Sequence, residues 1–247
     1  MFDFLPATDA DALAGAPLVQ VVAELKFNAQ ASLSTHAGVG LLHDALADEY
    51  PRLLAEQQAV ITATPGGVTT AQVPQWRLTD IAGQWAVVVG PEQLALETAA
   101  YGTWALMRGR LQRALNALHA LSTPRVRERV GLRYVNHIPA TADGSFGDRV
   151  RPELLGMATV DGWRQVTAAA VSQTVLRDEP VQMVLRYGSG ATVVPGNAFV
   201  LDIDCSDEHP VEYAPEAVVS YFDELNDAAY RCFCFCVPEA FRASLQD

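Results

Sequence analysis

The sequence predicts an α+β fold of two sheet-and-helix halves. Three observations predict it. A run of three strand signals followed by a long amphipathic helix occurs at 75–121 and again at 163–235, a weak internal duplication. Half of the 247 residues are apolar, enough for a substantial core. No apolar run approaches the roughly 18 residues that span a bilayer. The halves are placed at 1–139 and 140–247, fused into one compact body. In each, a helix across an antiparallel meander buries the apolar faces of both.

The elements follow in order. Residues 1–16 read as a loose lead-in. Pro17 opens a strand, Leu18 to Phe27, with Val19, Val21, Ala23, Leu25 and Phe27 on one face and Gln20, Val22, Glu24 and Lys26 on the other. Ser34 or Thr35 caps a helix to about Glu49, whose Val39, Leu42 and Leu46 fall at helical spacing. Pro51 comes just past its end. A short strand, Ala59 to Thr64, enters a Pro-Gly-Gly turn at 65–67. Gln75 to Thr79, Gln84 to Val89 and Gln93 to Thr98 form a meander punctuated by Gly83 and Gly90-Pro91.

A long helix follows, Tyr101 to about Leu121, with Trp104, Met107, Leu111, Ala114, Leu115, Leu118 and Leu121 as its stripe. The next strand, Val126 to Ile138, alternates: Val126, Glu128, Val130, Leu132, Tyr134, Asn136 and Ile138 share the core-facing side. Arg125, Arg127, Arg129, Arg133 and His137 point the other way. A polar loop at 139–149 leads to a short helix opened by Pro152. Strands at about Trp163 to Leu176, Val181 to Tyr187 and Phe199 to Cys205 are separated by turns at Asp178-Glu179-Pro180 and Gly188-Ser189-Gly190. The last long helix runs from near Pro215 to about Phe235, with Val218, Phe222, Leu225, Ala229 and Phe233 inward. Pro238 begins a final short helix.

Charge is segregated along the chain. Residues 101–138 hold Arg108, Arg110, Arg113, Arg125, Arg127, Arg129 and Arg133 against one acid, Glu128. That stretch carries +6 and the rest −18, giving the net −12. From Tyr187 to Tyr230 there is no Lys or Arg but nine acids, among them Asp202 and Asp204 at alternate positions of one strand. The partner- or anion-binding candidates are therefore Arg125, Arg127, Arg129 and Arg133, with Arg108 and Arg113 on the preceding helix. Guanidinium groups at alternate positions suit phosphate or carboxylate. Asp202 and Asp204 form the complementary acidic face, and the two ladders meet either within one sheet or across a dimer interface. The acidic balance disfavours generic DNA binding, which needs many cationic contacts.

Other chemistries find little footing. Asp202, Asp204, Asp207, Glu208 and His209 lack the glycine and further oxygen ligands of a calcium loop. Cys205, Cys232, Cys234 and Cys236 lack the paired spacing of a zinc site and read as core thiols in a reducing compartment. No Walker loop, Gly-x-Gly-x-x-Gly or Gly-x-Ser-x-Gly is present. The tryptophans, Trp76, Trp85, Trp104 and Trp163, read as core or half-buried, with the lining of a pocket as the alternative. No cofactor, metal or catalytic residue is assigned. His119 and His137 are the bases an enzyme would use. The acidic N-terminus has no basic leader region, so a soluble cytoplasmic protein with no membrane contact is expected.

Three segments, Pro17-Leu-Val-Gln-Val-Val-Ala-Glu-Leu-Lys-Phe, Arg129-Val-Gly-Leu-Arg-Tyr-Val-Asn-His-Ile and Leu201-Asp-Ile-Asp, occur in that order. They resemble an uncharacterised bacterial family of about this length that is distributed sporadically among genomes, and the similarity spans nearly the whole chain. Such scatter implies accessory genes of the defence-island or toxin–antitoxin kind. The family offers no catalytic residue to carry over, and the Cys-Phe-Cys-Phe-Cys ending is particular to this chain. With the charge segregation, the first expectation is a non-enzymatic protein-interaction module. It would be an accessory or neutralising partner in a defence or toxin–antitoxin system, binding a protein encoded nearby or self-associating as a homodimer. The alternatives are a binding module for a small anionic ligand or RNA, using the arginine face and a cleft under the long helix, and an enzyme of unassigned class.

Overall fold

The computed structural model describes residues 1–7, 15–64, 67–160, 166–190 and 198–246. The strands are β1 (Leu18–Phe27), β2 (Arg52–Thr64), β3 (Gly67–Thr79), β4 (Trp85–Gly90), β5 (Gln93–Thr98), β6 (Val126–Pro139), β7 (Ala169–Asp178), β8 (Val181–Gly190), β9 (Ala198–Asp207) and β10 (Val211–Glu212). The helices are α1 (His36–Leu46), α2 (Trp104–Leu121), α3 (Pro152–Leu155), α4 (Pro215–Cys236) and α5 (Glu239–Ala243). The fold is α+β, built on a single antiparallel sheet in the order β2-β3-β4-β5-β1-β6-β9-β8-β7, with β10 added to β6. A sheet for each half is thus replaced by one shared sheet. β1 and β6 pair at its middle, and β6 also pairs β9.

One face of this sheet carries the helices. Leu25 and Leu132 on the central strands, Leu94 and Leu96 on β5, and Leu201 and Ile203 on β9 are fully buried there. The stripes of α2 (Met107, Leu111, Ala114, Leu115, Leu118) and α4 (Val218, Phe222, Leu225, Ala229) close over them. Sequence explains the helix starts. Thr103 Oγ1 accepts from Leu106 N at 3.2 Å, Thr35 Oγ1 from Gly38 N at 3.2 Å, and Pro215 takes the first turn of α4. Among the described residues no helix is long and apolar enough to cross a membrane.

Several elements depart from the sequence reading. β2 begins at Arg52 instead of Ala59 and β3 at Gly67 instead of Gln75, because the two pair as a long two-stranded ribbon from Arg52↔Thr79 to Thr64↔Gly67. Such a ribbon gains its order from backbone pairing and needs no apolar face along its whole length. Gly188-Ser189-Gly190 lies inside β8 and is no turn. Gly188 (φ +152°) faces β7 so closely that a Cβ would overlap Ala170 O, so the glycine serves a tight strand approach. The lead-in is partly anchored: Phe2 and Leu5 are buried, and Arg231 Nη2 donates to Phe2 O at 2.8 Å. Trp163, the start of the predicted 163–176 strand, and two residues of the Pro-Gly-Gly turn lie outside the described residues; β7 itself begins at Ala169.

Two register shifts between β1 and β6 redistribute side chains. One lies between Leu18 and Gln20. It leaves Val19, predicted inward, 38% exposed. The other lies between Lys26 and Phe27, where Arg129 pairs Lys26 but Arg127 pairs Phe27. Arg127 therefore shares the helix-covered side with the buried Phe27, and Glu128, predicted inward, is exposed.

Because β6 joins the two sides of the sheet, Leu132→Ala should destabilise the entire fold. A loss of about 2–5 kcal/mol is expected for a fully buried leucine, measured by denaturant unfolding. A loss well below 1 kcal/mol would show that the β1–β6 centre contributes little.

Candidate functional site

The predicted arginine face divides between two environments. Arg129 and Arg133 remain on the helix-free side of the sheet, where β9 brings the predicted acids to them. Arg133 clamps Asp202 with Nε–Oδ1 and Nη2–Oδ2 distances of 2.8 Å each. Arg186 of β8 reaches the same carboxylate at 3.2 Å and Asp204 at 3.7 Å. Arg129 pairs with Glu24 of β1, and lies 3.7 Å from Asp204 and 3.5 Å from Glu208. Gly131 makes room for this, since a Cβ there would overlap the Arg129 guanidinium. The basic and acidic ladders thus meet within one sheet.

Arg127 is 6% exposed, buried on the helix side beside Asp207, itself 1% exposed. Their Nη2–Oδ2 distance is 2.6 Å, and the guanidinium lies over the Tyr221 ring of α4 at 4.7 Å. Burial opposes the Asp207 charge. The His209 amide and imidazole, the nearby Tyr221 hydroxyl and Arg127 outweigh it and hold the carboxyl below its usual range. Arg125 is exposed and makes no ion pair among the described residues. On α2, Arg108 Nε meets Asp223 of α4 at 2.9 and 3.0 Å, and Arg113 pairs with Glu49.

His119 and His137 are not brought together with any such group. His119 is exposed, with a ring contact to Tyr213 at 6.1 Å. Neither imidazole makes a hydrogen bond or ion pair among the described residues. The four cysteines are buried thiols, and burial pushes Cys205 well up, away from the reactive thiolate.

A concave feature lies elsewhere. A cavity of about 360 Å³ opens between the first turn of α2, the middle of α4 and the sheet. Leu18, Tyr134, Asn136 and Ile203 make its floor, Ala229 and Phe233 one wall, and Tyr101, Trp104, Ala105 and Tyr230 its rim. The rim is held by Asp223, which accepts from Trp104 Nε1 at 2.7 Å while bound to Arg108, so α2 and α4 are fixed on either side of the opening.

Its lining is largely apolar and aromatic, with a small polar set on the floor. The Tyr134 hydroxyl donates to Asn226 Oδ1 at 2.7 Å, and the Tyr101 and Tyr134 rings meet edge to face at 5.7 Å. Burial, reinforced by Tyr101, lifts the Tyr134 hydroxyl well above its ordinary value, so it stays protonated. Asn136, 2% exposed, donates Nδ2 to Leu201 O at 3.0 Å.

The sequence reading placed a cleft under the long helix and allowed that Trp104 could line a pocket, but gave the other residues no such role. The available signal was Asn136, a polar side chain at a core-facing strand position. No family model matches the chain, and no curated protein matches it.

Geometry separates the two kinds of arginine. Arg127→Ala takes the guanidinium partner from the buried Asp207, leaving the His209 contacts, and should cost about 3–5 kcal/mol. Arg133→Ala, with its side chain 44% exposed and Arg186 still 3.2 Å from the buried Asp202, should cost about 0–1 kcal/mol. Denaturant unfolding of both variants checks this, and equal losses would contradict it. A carboxyl with a lowered folded pKa adds stability above its unfolded pKa and loses it as pH falls through the folded one. The stability gap between the protein and Asp207→Asn should therefore be full at neutral pH and shrink below about pH 4. A gap that widens on acidification would reverse the assignment.

Proposed function

We propose that the chain is a small-molecule binding module whose ligand occupies the cavity between α2, α4 and the β1–β6–β9 floor. The observation that carries this reading is the cavity itself. It is of ligand size, apolar-walled, and furnished with a few placed polar groups, the pattern of small-molecule sites. Its floor is on the central strands and its rim is braced by the Trp104–Asp223–Arg108 contacts, so it is formed in advance of any ligand.

The protein-partner reading, with its bacterial defence or toxin–antitoxin setting, draws on charge segregation and the three-segment resemblance. The arginines that motivated it are mostly engaged by acids of the same chain. The same pairing takes up most of the groups an anionic ligand or RNA would have used, Arg125 being left exposed. The cavity retains its binding capacity.

Nile red, an uncharged dye whose emission shifts in apolar surroundings, tests the reading. It should bind saturably with a blue-shifted emission. Ala105→Trp, at an exposed rim position, should weaken binding at least about tenfold, as expected when contact in a closed apolar pocket is lost, and leave the melting temperature unchanged. Absent binding, or binding unaffected by the rim substitution, would contradict the proposal.

A further inference from the structure

We propose that the cavity selects an uncharged aromatic alcohol or phenol, its ring between the aromatic walls and its hydroxyl on the floor between Asn136 and Asn226. This rests on the ligand-binding reading above and adds the chemical class of the ligand.

The charge follows from what the walls lack. No Asp, Glu, Lys, Arg or His lines the cavity among the described residues. A carboxylate or ammonium group there would lose its water without gaining a counter-charge. The nearest ionised pair on the rim, Arg108 and Asp223, is already closed on itself and on Trp104.

The hydroxyl follows from what the floor has left over. Asn136 spends its Nδ2 on Leu201 O, and among the described residues its Oδ1 accepts no hydrogen bond. Asn226 spends its Oδ1 on the Tyr134 hydroxyl, and among the described residues its Nδ2 donates none. Both line the cavity. One acceptor and one donor therefore remain on the cavity lining. The Tyr134–Asn226 bond fixes the Asn226 amide with its oxygen toward Tyr134, and the Leu201 carbonyl fixes the Asn136 amide with its nitrogen away from the ligand. A hydroxyl donates to Asn136 Oδ1 and accepts from Asn226 Nδ2 with a single atom. An ether only accepts, and a carboxylate brings no proton for Asn136. The ring follows from Tyr101, Trp104, Tyr230 and Phe233, which surround the opening with flat apolar surface.

Three probes of one size separate these claims by calorimetry: 2-naphthol, 2-methoxynaphthalene and 2-naphthoate. The expected result is binding of 2-naphthol, with the ether and the carboxylate at least about tenfold weaker, as for sites that bond a substrate hydroxyl. Asn226→Ala, at a half-buried helix position, should erase the preference for 2-naphthol over the ether. Asn136→Leu should do the same, and Asn226→Ala remains decisive if that variant does not fold. Equal binding of 2-naphthol and the ether would overturn the hydroxyl claim, and tighter binding of 2-naphthoate would overturn the uncharged class. In both cases the cavity remains a binding site. If none of the three binds and Nile red does not either, the ligand-binding reading falls and this one with it.

Discussion

The pairing of β1 with β6 is the constraint on which the rest of the structure depends. It joins β2–β5 on one side to β7–β9 on the other, and makes one sheet where two were expected. On the helix side it sets Ala23 and Leu25 beside Leu132 and Val130, the platform for α2 and α4. On the opposite side it sets Glu24 beside Gly131 and Lys26 beside Arg129, which gives Arg129 its carboxylate. The same strand then carries Tyr134 and Asn136 to the cavity floor. Core, charge lattice and candidate site are all positioned by this central pair of strands.

The register shift near Arg127 decides how the positive charge is used. Unshifted, four arginines would share one face and repel each other, open to an anion. The bulge moves Arg127 through the sheet, where Asp207, the Tyr221 ring and the His209 carbonyl enclose it. A buried pair gains little over a well-packed apolar one, yet losing one partner is costly. Its role is to fix β9, β10 and α4 against the end of β6. Arg129 and Arg133 stay partly wet, where each pair contributes little alone. Their effect lies in the mutual arrangement with Asp202, Asp204 and Glu24, which leaves no row of idle guanidinium groups.

Much of this was legible in the sequence. The stripes of α2 and α4, the Thr35 cap, the alternation of β6 and the strands of the first meander follow from local periodicity and turn chemistry. The acidic run at Asp202 and Asp204 marked the strand that meets the arginines. What escaped has a physical reason in each case. A bulge is set by the partner strand, so the sides of Val19, Arg127 and Glu128 were hidden. Gly188 and Gly190 signal close approach as readily as a turn. Phe2 and Leu5 are held by α4 and the sheet, far along the chain. The cavity is a space left between five distant segments, and no periodicity encodes such a space. Asn136, polar at an inward position, and Trp104 pointed toward it.

We propose that binding capacity resides in the cavity and not on the arginine face. Side-chain NMR of the isotope-labelled protein, recorded while a neutral aromatic alcohol is added, tests this. Progressive shifts of the Asn226 amide and the Trp104 indole are expected, with the Arg129 and Arg133 guanidinium signals unmoved. Shifts confined to those arginines, with Asn226 and Trp104 unchanged, would contradict it.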